Sequence, residues 1–199
     1  MGWRKEPIAW KYPKKYPAEL GKTINKYCEP FVGGGAVLFD ILSQYNVDEI
    51  LINDINLELM NAYTQIKLHV GDLINELKKM QNDFWPLNDE QRKSFYYNKR
   101  ERFNFLKAIN DKHNNTEKAA LFIFINKTCF NGLFRVNRKG LYNVPMGAYK
   151  KPIICDEGNL IGISRLLEKV TIKCGDFRDC LSFIDNRTFV YIDPPYRPI

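Results

Sequence analysis

The sequence has few of the residues from which metal sites are built. Only two histidines occur among 199 residues, and the five cysteines form no C-x-x-C pair. This pattern predicts no zinc site and is typical of reduced thiols in a cytosolic protein. No apolar run approaches the roughly 20 residues of a membrane span, and the basic N-terminus lacks the apolar core of a secretory signal. A cytoplasmic protein without a metal or a membrane partner is therefore expected.

Internal repeats and low-complexity linkers are also missing, so the length predicts one domain or one domain with an insertion. Positive charge is in excess, because 30 Lys and Arg oppose 23 Asp and Glu, for a formal net charge of +7. A basic surface favours a polyanionic partner without identifying one. On charge alone, a solvated surface that binds nothing is an equally good interpretation.

Strand and helix patterns alternate at the two ends of the chain. The segment "INKYCEPFVGGG" predicts a short strand that runs into a glycine loop, and "AVLFDILSQY" has helical spacing. The segments "DEILINDIN", "TIKCGDF" and "TFVYID" predict strands that end on Asp54, Asp176 and Asp193. This alternation predicts a parallel, doubly wound α/β sheet. Ligands bind outside the carboxyl ends of such strands, so the loop and the three acids form a candidate site.

A helix-rich block separates the two strand regions. The segment "TEKAALFIFINKTCF" predicts a buried helix with Thr116 as its N-cap, and "LFRVNRKGLYNV" predicts a hairpin with Gly140 at its turn. We therefore expect a domain formed by residues 1–56 and 161–199, interrupted by an inserted domain at 57–160.

The glycine loop "EPFVGGGAVLFD" lacks both the Gly-Lys-Ser/Thr ending of a phosphate-binding loop and the third glycine of G-x-G-x-x-G. It keeps G-x-G at Gly33 and Gly35, which a tight strand-to-helix turn alone would also explain. Asp54 follows about 20 residues later, where a carboxylate can bind ribose hydroxyls. The pair indicates an adenosine-containing ligand, either a dinucleotide or S-adenosylmethionine (AdoMet). Asp176 could accept from an adenine amino group or cap the next helix.

The tetrapeptide "DPPY" suits the activation of an aromatic amino group. Asp193 offers a charged acceptor to one N–H of adenine N6, and the carbonyl of Pro194 offers a second acceptor. A hydrogen bond to a charged group contributes roughly 1.5–3 kcal/mol. Pro194 and Pro195 have fixed φ, and Tyr196 offers a ring on which an extruded base can stack. The alternative interpretation is a proline-rich turn.

With these residues in place, the chain resembles the Dam-type (D12 class) DNA adenine-N6 methyltransferases over nearly its whole length. The loop "EPFVGGGAV" is similar to the family's AdoMet loop, "DPPY" to its catalytic motif, and "NGLFRVNRKGLYNVPMGAYKKP" to its target-recognition hairpin. The resemblance implies a Rossmann-like AdoMet-dependent methyltransferase sheet with an inserted helical target-recognition domain that carries a β-hairpin. It implies AdoMet as cofactor, double-stranded DNA as partner and "DPPY" as the catalytic residues.

The resemblance also implies a set of binding residues. Those implied for the cofactor are Trp10, Lys14, Glu29, Phe31, Gly33, Gly35, Asp54, Asp176 and Phe177. Those implied for DNA are Phe130, Asn131, Leu133, Arg135, Asn137, Arg138, Pro145 and Tyr149. The guanidinium of Arg135 can bond bidentately to guanine O6 and N7. The charged groups expected to contact phosphates are Arg138, Lys139, Lys150 and Lys151.

Two features depart from the family pattern. In "IAWKYPKK", Trp10 and Lys14 keep the family's spacing, whereas Tyr12 and Pro13 replace a Gly-Gly pair. Family members continue past the tetrapeptide, whereas this sequence stops three residues after Tyr196. We therefore expect a catalytic domain that is incomplete at its C-terminus.

The predicted function is transfer of a methyl group from AdoMet to adenine N6 in duplex DNA, at a GATC-like site. By resemblance, the setting would be restriction–modification or phage and host marking, with a cognate restriction endonuclease as a partner and a monomer as the expected state. One alternative is an inactive DNA-binding remnant of such an enzyme. Another is a methyltransferase for RNA or a protein amide, against which the arginine-bearing hairpin argues.

Overall fold

The computed structural model describes residues 16–109, 113 and 115–194. These residues form two compact units. One contains Asn61–Ser164 and is called the helical unit below. The other contains the described residues before Asn61 and after Ser164 and is called the sheet unit.

The sheet unit is built on four parallel strands within the part of the chain described. They are β1 (Lys26–Glu29), β2 (Glu49–Asp54), β3 (Val170–Cys174) and β4 (Thr188–Val190), in the order β3-β2-β1-β4. Helix α1 (Ala36–Gln44) forms the crossover from β1 to β2. All four residues of β1 are buried, which is expected of a central strand in a parallel sheet. The predicted parallel α/β sheet is therefore confirmed.

The strand order reverses at β1. From β1 the chain moves to β2 and β3 on one side, and it then returns to place β4 on the other side. The carboxyl ends of β1 and β4 thus flank a topological switch point, where open α/β sheets bind ligands. Beyond β4, the amide of Tyr191 still donates to the carbonyl of Cys28 (2.9 Å), so the chain stays beside β1 up to the glycine loop.

The helical unit contains α3 (Val70–Phe84), α4 (Asp89–Ala108) and α5 (Asn115–Thr128). Helices α2 (Leu57–Leu68) and α6 (Glu157–Leu167) contribute residues to both units. Nine residues of α5 are buried on all sides, as the uninterrupted apolar run predicts. Phe84, Phe95 and Phe124 pack ring against ring, with centroids 5.6–5.9 Å apart, and join α3, α4 and α5.

Three sequence-based expectations about element ends are wrong. Thr116 lies inside α5 and donates through Oγ1 to Gln65 (2.8 Å), so it does not cap the helix. Asp176 follows the end of β3, because Cys174 pairs with Asp54, the last residue of β2. Asp193 likewise follows the end of β4. Its neighbour β1 is succeeded by Pro30, which has no N–H with which to extend the ladder.

The start of α4 is fixed by a reciprocal capping box. The Asn88 side chain accepts from the amide of Gln91 (2.9 Å), and the Gln91 side chain accepts from the amide of Asn88 (3.1 Å). Substitution Asn88→Ala removes an acceptor for an otherwise unpaired helix N–H, and should lower the free energy of unfolding by about 1 kcal/mol. Denaturant titration measures this change. Asn98→Ala, an exposed position within α4, is the control and should be neutral or slightly stabilising. Equal effects of the two substitutions would contradict the capping role.

Candidate active site and nucleic-acid interface

The glycine loop after β1 is tied directly to the end of β2. Gly33 and Gly35 have φ of 51° and 70°, a left-handed backbone that favours glycine. The amide of Gly33 donates to Oδ2 of Asp54 (3.1 Å), and the amide of Val32 donates to the carbonyl of Asn53 (2.9 Å). The spacing of glycines and Asp54 in the sequence therefore corresponds to direct contact in the structure.

Asp54 closes β2 and organises two loops at once. Its Oδ2 accepts from Gly33, and its Oδ1 accepts from the amide of Asn56 (2.9 Å). A carboxylate has about four acceptor positions, so two bonds leave capacity for ligand hydroxyls. Sequence reasoning assigned Asp54 to the cofactor and missed that it also shapes the loop.

Asn53 lies next to Asp54 at the end of β2 and was not among the residues predicted from the sequence. It is 1% exposed, and its Nδ2 donates to the carbonyls of Pro30 (3.2 Å) and Gly175 (3.0 Å). These bonds connect the loops that follow β1 and β3. Its Oδ1 is buried and has no hydrogen-bond partner within the described part of the chain. A polar residue inside an apolar strand was the available signal.

Two aromatic rings flank the same edge of the sheet. Phe31 and Phe177 have ring centroids 5.5 Å apart with planes tilted by 30°, and Phe177 is 48% exposed. Ile55, directly after Asp54, is 80% exposed. Exposed apolar side chains beside a polar strand end offer flat surfaces suited to a base or another planar ligand.

Asp176 is engaged by its neighbour Arg178. Its Oδ1 accepts from the backbone amide (2.9 Å) and Nε (2.7 Å) of Arg178, and its Oδ2 accepts from Nη2 (3.0 Å). The side-chain bonds from Arg178 lower the pKa of Asp176 to about 2. The capping alternative is thereby confirmed, because Asp176 is the N-cap of a 3-10 helix at Phe177–Phe183.

Glu29, the last residue of β1, is buried beside Asp193. It is 3% exposed, and the Tyr27 hydroxyl donates to its Oε2 (2.6 Å). Burial raises the pKa of Glu29 to about 8, and the charge of Asp193 adds to the rise against the opposing effect of the Tyr27 bond. The structure thus brings a buried, readily protonated carboxyl close to the exposed carboxylate of Asp193.

The structure describes two residues of the predicted catalytic tetrapeptide. Asp193 and Pro194 are exposed just beyond β4, at the switch point between β1 and β4. The other two residues of the tetrapeptide, Pro195 and Tyr196, lie outside the described residues. The same holds for two predicted cofactor residues, Trp10 and Lys14.

The predicted hairpin is present in the helical unit. Val136 pairs antiparallel with Tyr142, and Gly140 has φ of 74° at the turn. At the base of the hairpin, the amide of Phe130 donates to the carbonyl of Pro145 (2.9 Å). Asn131 has a positive φ of 53°, unlike every other non-glycine residue that the structure describes. The hairpin is therefore closed by backbone pairing at both ends.

The surface around the hairpin exposes large apolar side chains. Phe130, Leu133 and Tyr149 are 52%, 47% and 42% exposed. All three were predicted to bind DNA, and exposed apolar groups of this size indicate an interaction surface.

Arg135 and Asn137 differ in how much of their side chains remains available. Arg135 is exposed, and its Nε donates to Oδ1 of Asn143 (3.0 Å). Its terminal nitrogens make no hydrogen bond to the described residues, so one side of the guanidinium is oriented while the other stays open. Asn137 instead uses its Oδ1 to accept from the amides of Lys139 (2.9 Å) and Leu141 (3.1 Å), which shapes the turn. Arg138 is exposed at that turn.

Comparison with known proteins identifies the family of the chain. The family model described as D12 class N6 adenine-specific DNA methyltransferase matches residues 12–199. The chain belongs to this family of enzymes. Within the described residues, no cluster of three His, Cys, Asp or Glu side chains is placed to hold a metal ion. Every helix in that part of the chain is too short or too polar to cross a membrane.

Individual relatives of the family cover most of the chain. It is 48% identical over 196 residues to the type II methyltransferase M.MjaIII of Methanocaldococcus jannaschii, a match that covers 98% of this chain and 67% of the relative. It is 37% identical to M1.LlaDCHI of Lactococcus lactis subsp. cremoris, covering 96% and 61%. It is 33% identical to a DNA adenine methylase of Serratia marcescens, covering 86% and 57%. The chain thus spans about three-fifths to two-thirds of the length of these relatives.

The raised pKa of Glu29 predicts a pH dependence of stability. Glu29 stays protonated in the native state up to about pH 8, whereas an unfolded chain ionises near the ordinary value of 4.5. The native state therefore holds one more proton between these values. The contribution of Glu29 to the free energy of unfolding should fall as pH rises, by at most about 1.4 kcal/mol per unit. Glu29→Gln removes this loss, so the variant should gain stability relative to the wild type between pH 5 and 8.

Denaturant titration at several pH values measures the difference between the two proteins. Glu101→Gln, at an exposed position of α4, is the matched control and should differ from the wild type by a constant amount. A difference for Glu29→Gln that is also independent of pH would refute the assignment.

Proposed function

We propose that the chain transfers a methyl group from AdoMet to N6 of adenine in double-stranded DNA. The observation that carries the proposal is the topology of the sheet unit. The glycine loop after β1 and Asp193 after β4 emerge on either side of one switch point. A donor held by the loop would then lie beside the residue proposed to receive the adenine.

The residues around the loop fit a cationic, adenosine-containing donor. Gly33 and Gly35 keep the backbone open to close approach, and Asp54 retains acceptor capacity for ribose hydroxyls. Phe31, with Phe177, supplies an apolar face for adenine, and Asp176 lies at the adjoining strand end. Glu29, protonated below about pH 8 in the free protein, is proposed to line the donor site, where a bound cation would favour its ionised form. When bound, AdoMet supplies its methyl group from a sulfonium centre. Trp10 and Lys14 are proposed to complete the cofactor site.

Asp193 and Pro194 are proposed to activate the adenine. One N–H of N6 would donate to the Asp193 carboxylate and the other to the Pro194 carbonyl. These bonds strengthen as positive charge develops on N6, so they stabilise the transition state more than the bound substrate. Pro195 would fix the backbone and Tyr196 would stack on the extruded base. The proton released from N6 would pass to Asp193 or to solvent.

The helical unit is proposed to recognise the DNA. Arg135 is oriented by Asn143 and has free terminal donors, a geometry that suits guanine O6 and N7 in the major groove. The residues proposed to lie at the DNA with it are Phe130, Asn131, Leu133, Asn137, Arg138, Pro145 and Tyr149. A GATC-like target containing guanine beside adenine is the proposed site.

The wider setting is also part of the proposal. Residues 1–56 and 161–199 would form the AdoMet-binding catalytic domain, and 57–160 the target-recognition domain. Two relatives are named as type II methyltransferases, which supports a restriction–modification setting with a cognate endonuclease. We propose a monomer that acts in the cytoplasm.

Methyl transfer from labelled AdoMet to unmethylated duplex DNA tests the catalytic role. Asp193→Ala should lower the transfer rate by about 10²–10³, the usual cost of losing one charge-stabilising group at a transition state. Asp83→Ala, an exposed aspartate at the end of α3, is the control and should retain full activity. Equal incorporation by Asp193→Ala would disprove the assigned role.

Calorimetric titration with S-adenosylhomocysteine separates an enzyme from an inactive DNA-binding remnant. The wild type and Asp193→Ala should both bind this donor analogue, because Asp193 acts on the acceptor. Absence of binding by the wild type, together with retained DNA binding, would favour the remnant. Competition by RNA rather than duplex DNA would favour an RNA methyltransferase.

The proposed role of Arg135 predicts a loss of sequence discrimination. The wild type should prefer a duplex that contains the target site over one in which the guanine of the site is replaced. Arg135→Ala should reduce this preference by about 1–3 kcal/mol, or roughly 5- to 150-fold. Asn143→Ala should lose part of this preference, because Arg135 would lose its orienting partner. Anisotropy titrations with the two duplexes measure the ratio. A variant that weakens binding to both duplexes equally would show that Arg135 contacts phosphate instead.

A further inference from the structure

A basic cleft in the helical unit lies beyond the paired residues of the hairpin, Val136 and Tyr142. It has a volume of about 480 Å³ and is lined by the end of α3, the first turns of α4, the end of α5 and the segment after the hairpin. Three cationic residues, Arg92, Lys93 and Lys150, line it against one carboxylate, Asp89. The cleft therefore carries a positive charge that its own walls do not neutralise.

Arg92 is held in this cleft by uncharged groups. Its Nη1 donates to the carbonyl of Lys150 (2.6 Å) and its Nη2 to the carbonyl of Trp85 (2.6 Å), while the guanidinium lies 5.3 Å from the Phe84 ring centroid. No carboxylate of the described residues lies within 4.0 Å of it. Its Nε is buried and lacks a hydrogen-bond partner among those residues. A partly buried guanidinium without a counter-ion would be stabilised by an anion in the cleft.

The neighbouring rim is ordered by similar contacts. The Lys151 ammonium lies 4.5 Å from the centroid of the Trp85 ring, and Trp85 Nε1 donates to the carbonyl of Pro152 (2.9 Å). Together with Arg92, these contacts fix the segment of residues 150–152 against the start of α4. The backbone that carries Lys150 is thus fixed at the rim of the cleft.

The cleft is continuous with the proposed DNA surface. Tyr149 lines it, and the amide of Gly147, which also lines it, donates to the carbonyl of Thr128 at the end of α5 (2.8 Å). The same segment begins at Pro145, which pairs with Phe130 at the base of the hairpin. One segment of the chain therefore connects an anion bound in the cleft to the hairpin residues that are proposed to read the bases.

We propose that this cleft binds a phosphate of the DNA backbone, with Arg92 and Lys93 of α4 as additional contacts to the substrate. The inference rests on the proposed function, because duplex DNA supplies the phosphate. The sequence predicted DNA contacts only for residues in and next to the hairpin. The proposal adds contacts from α4. Because a phosphate contact carries no sequence information, Lys93 should add affinity and salt dependence without adding discrimination.

Anisotropy titrations of Lys93→Ala over a range of salt concentrations test the proposal in the absence of any methyl donor. The variant should lose affinity by the same factor for a methylatable duplex and for an unrelated duplex of equal length. The slope of log K against log salt should fall by about 0.9 for the one contact removed. Lys93→Arg should restore both quantities, because it keeps the charge. Lys79→Ala, at an exposed position of α3 away from the cleft lining, is the matched control and should behave as the wild type.

The outcomes distinguish this inference from the proposed function. If the wild type binds and methylates DNA while Lys93→Ala keeps the wild-type affinity and salt slope, the cleft assignment is wrong and the proposed function stands. If Lys93→Ala weakens only the methylatable duplex, the residue reads sequence and the assignment is again wrong. If the wild type binds no duplex DNA, both proposals fail. Thermal melting of each variant confirms that the fold is retained.

Discussion

Strand β1 is only four residues long, yet it pairs in parallel with β2 on one side and with β4 on the other. Parallel neighbours carry their carboxyl ends to the same edge, so the three loops that follow these strands must emerge together. The glycine loop, Asp54 and Asp193 share that edge for this reason, although they are distant in sequence. Every contact proposed for the donor in the sheet unit depends on this pairing.

The two ends of β1 handle buried charge differently. At the start of the strand, Lys26 is paired with Asp185 (3.1 Å), so its burial is compensated by an acid. At the far end, Glu29 has a hydroxyl donor from Tyr27 and the like charge of Asp193, and burial raises its pKa to about 8. Strand ends that serve only the fold need no such group. A buried carboxyl at the switch point whose pKa is raised to about 8 is typical of a site where stability has been given up for binding or chemistry.

Much of the architecture could be predicted from the sequence, because it depends on local patterns. Alternating segments predicted the parallel sheet, and the apolar run of α5 predicted a buried helix. The sequence pattern also placed Asp54 correctly at the end of its strand, where it pairs with Cys174, the last residue of β3. The errors arose where long-range contacts decide the outcome. Thr116 bonds to Gln65 rather than capping its helix, and Asn53 connects loops separated by more than a hundred residues. No periodicity in the sequence encodes these contacts or the hydrogen bond from Arg92 to the carbonyl of Lys150.

The division into two units has an electrostatic rationale under the proposed function. At its ligand edge the sheet unit presents the carboxylates of Asp54 and Asp193, which suit a donor with a positive sulfonium. The helical unit presents Arg92, Lys93, Arg135 and Arg138, which suit a polyanion. Charges of one sign within about 10 Å reinforce each other, so mixing the two sets on one surface would weaken both interactions. The excess charge on each unit is therefore opposite in sign to the ligand that the unit is proposed to bind, which favours each ligand at its own site.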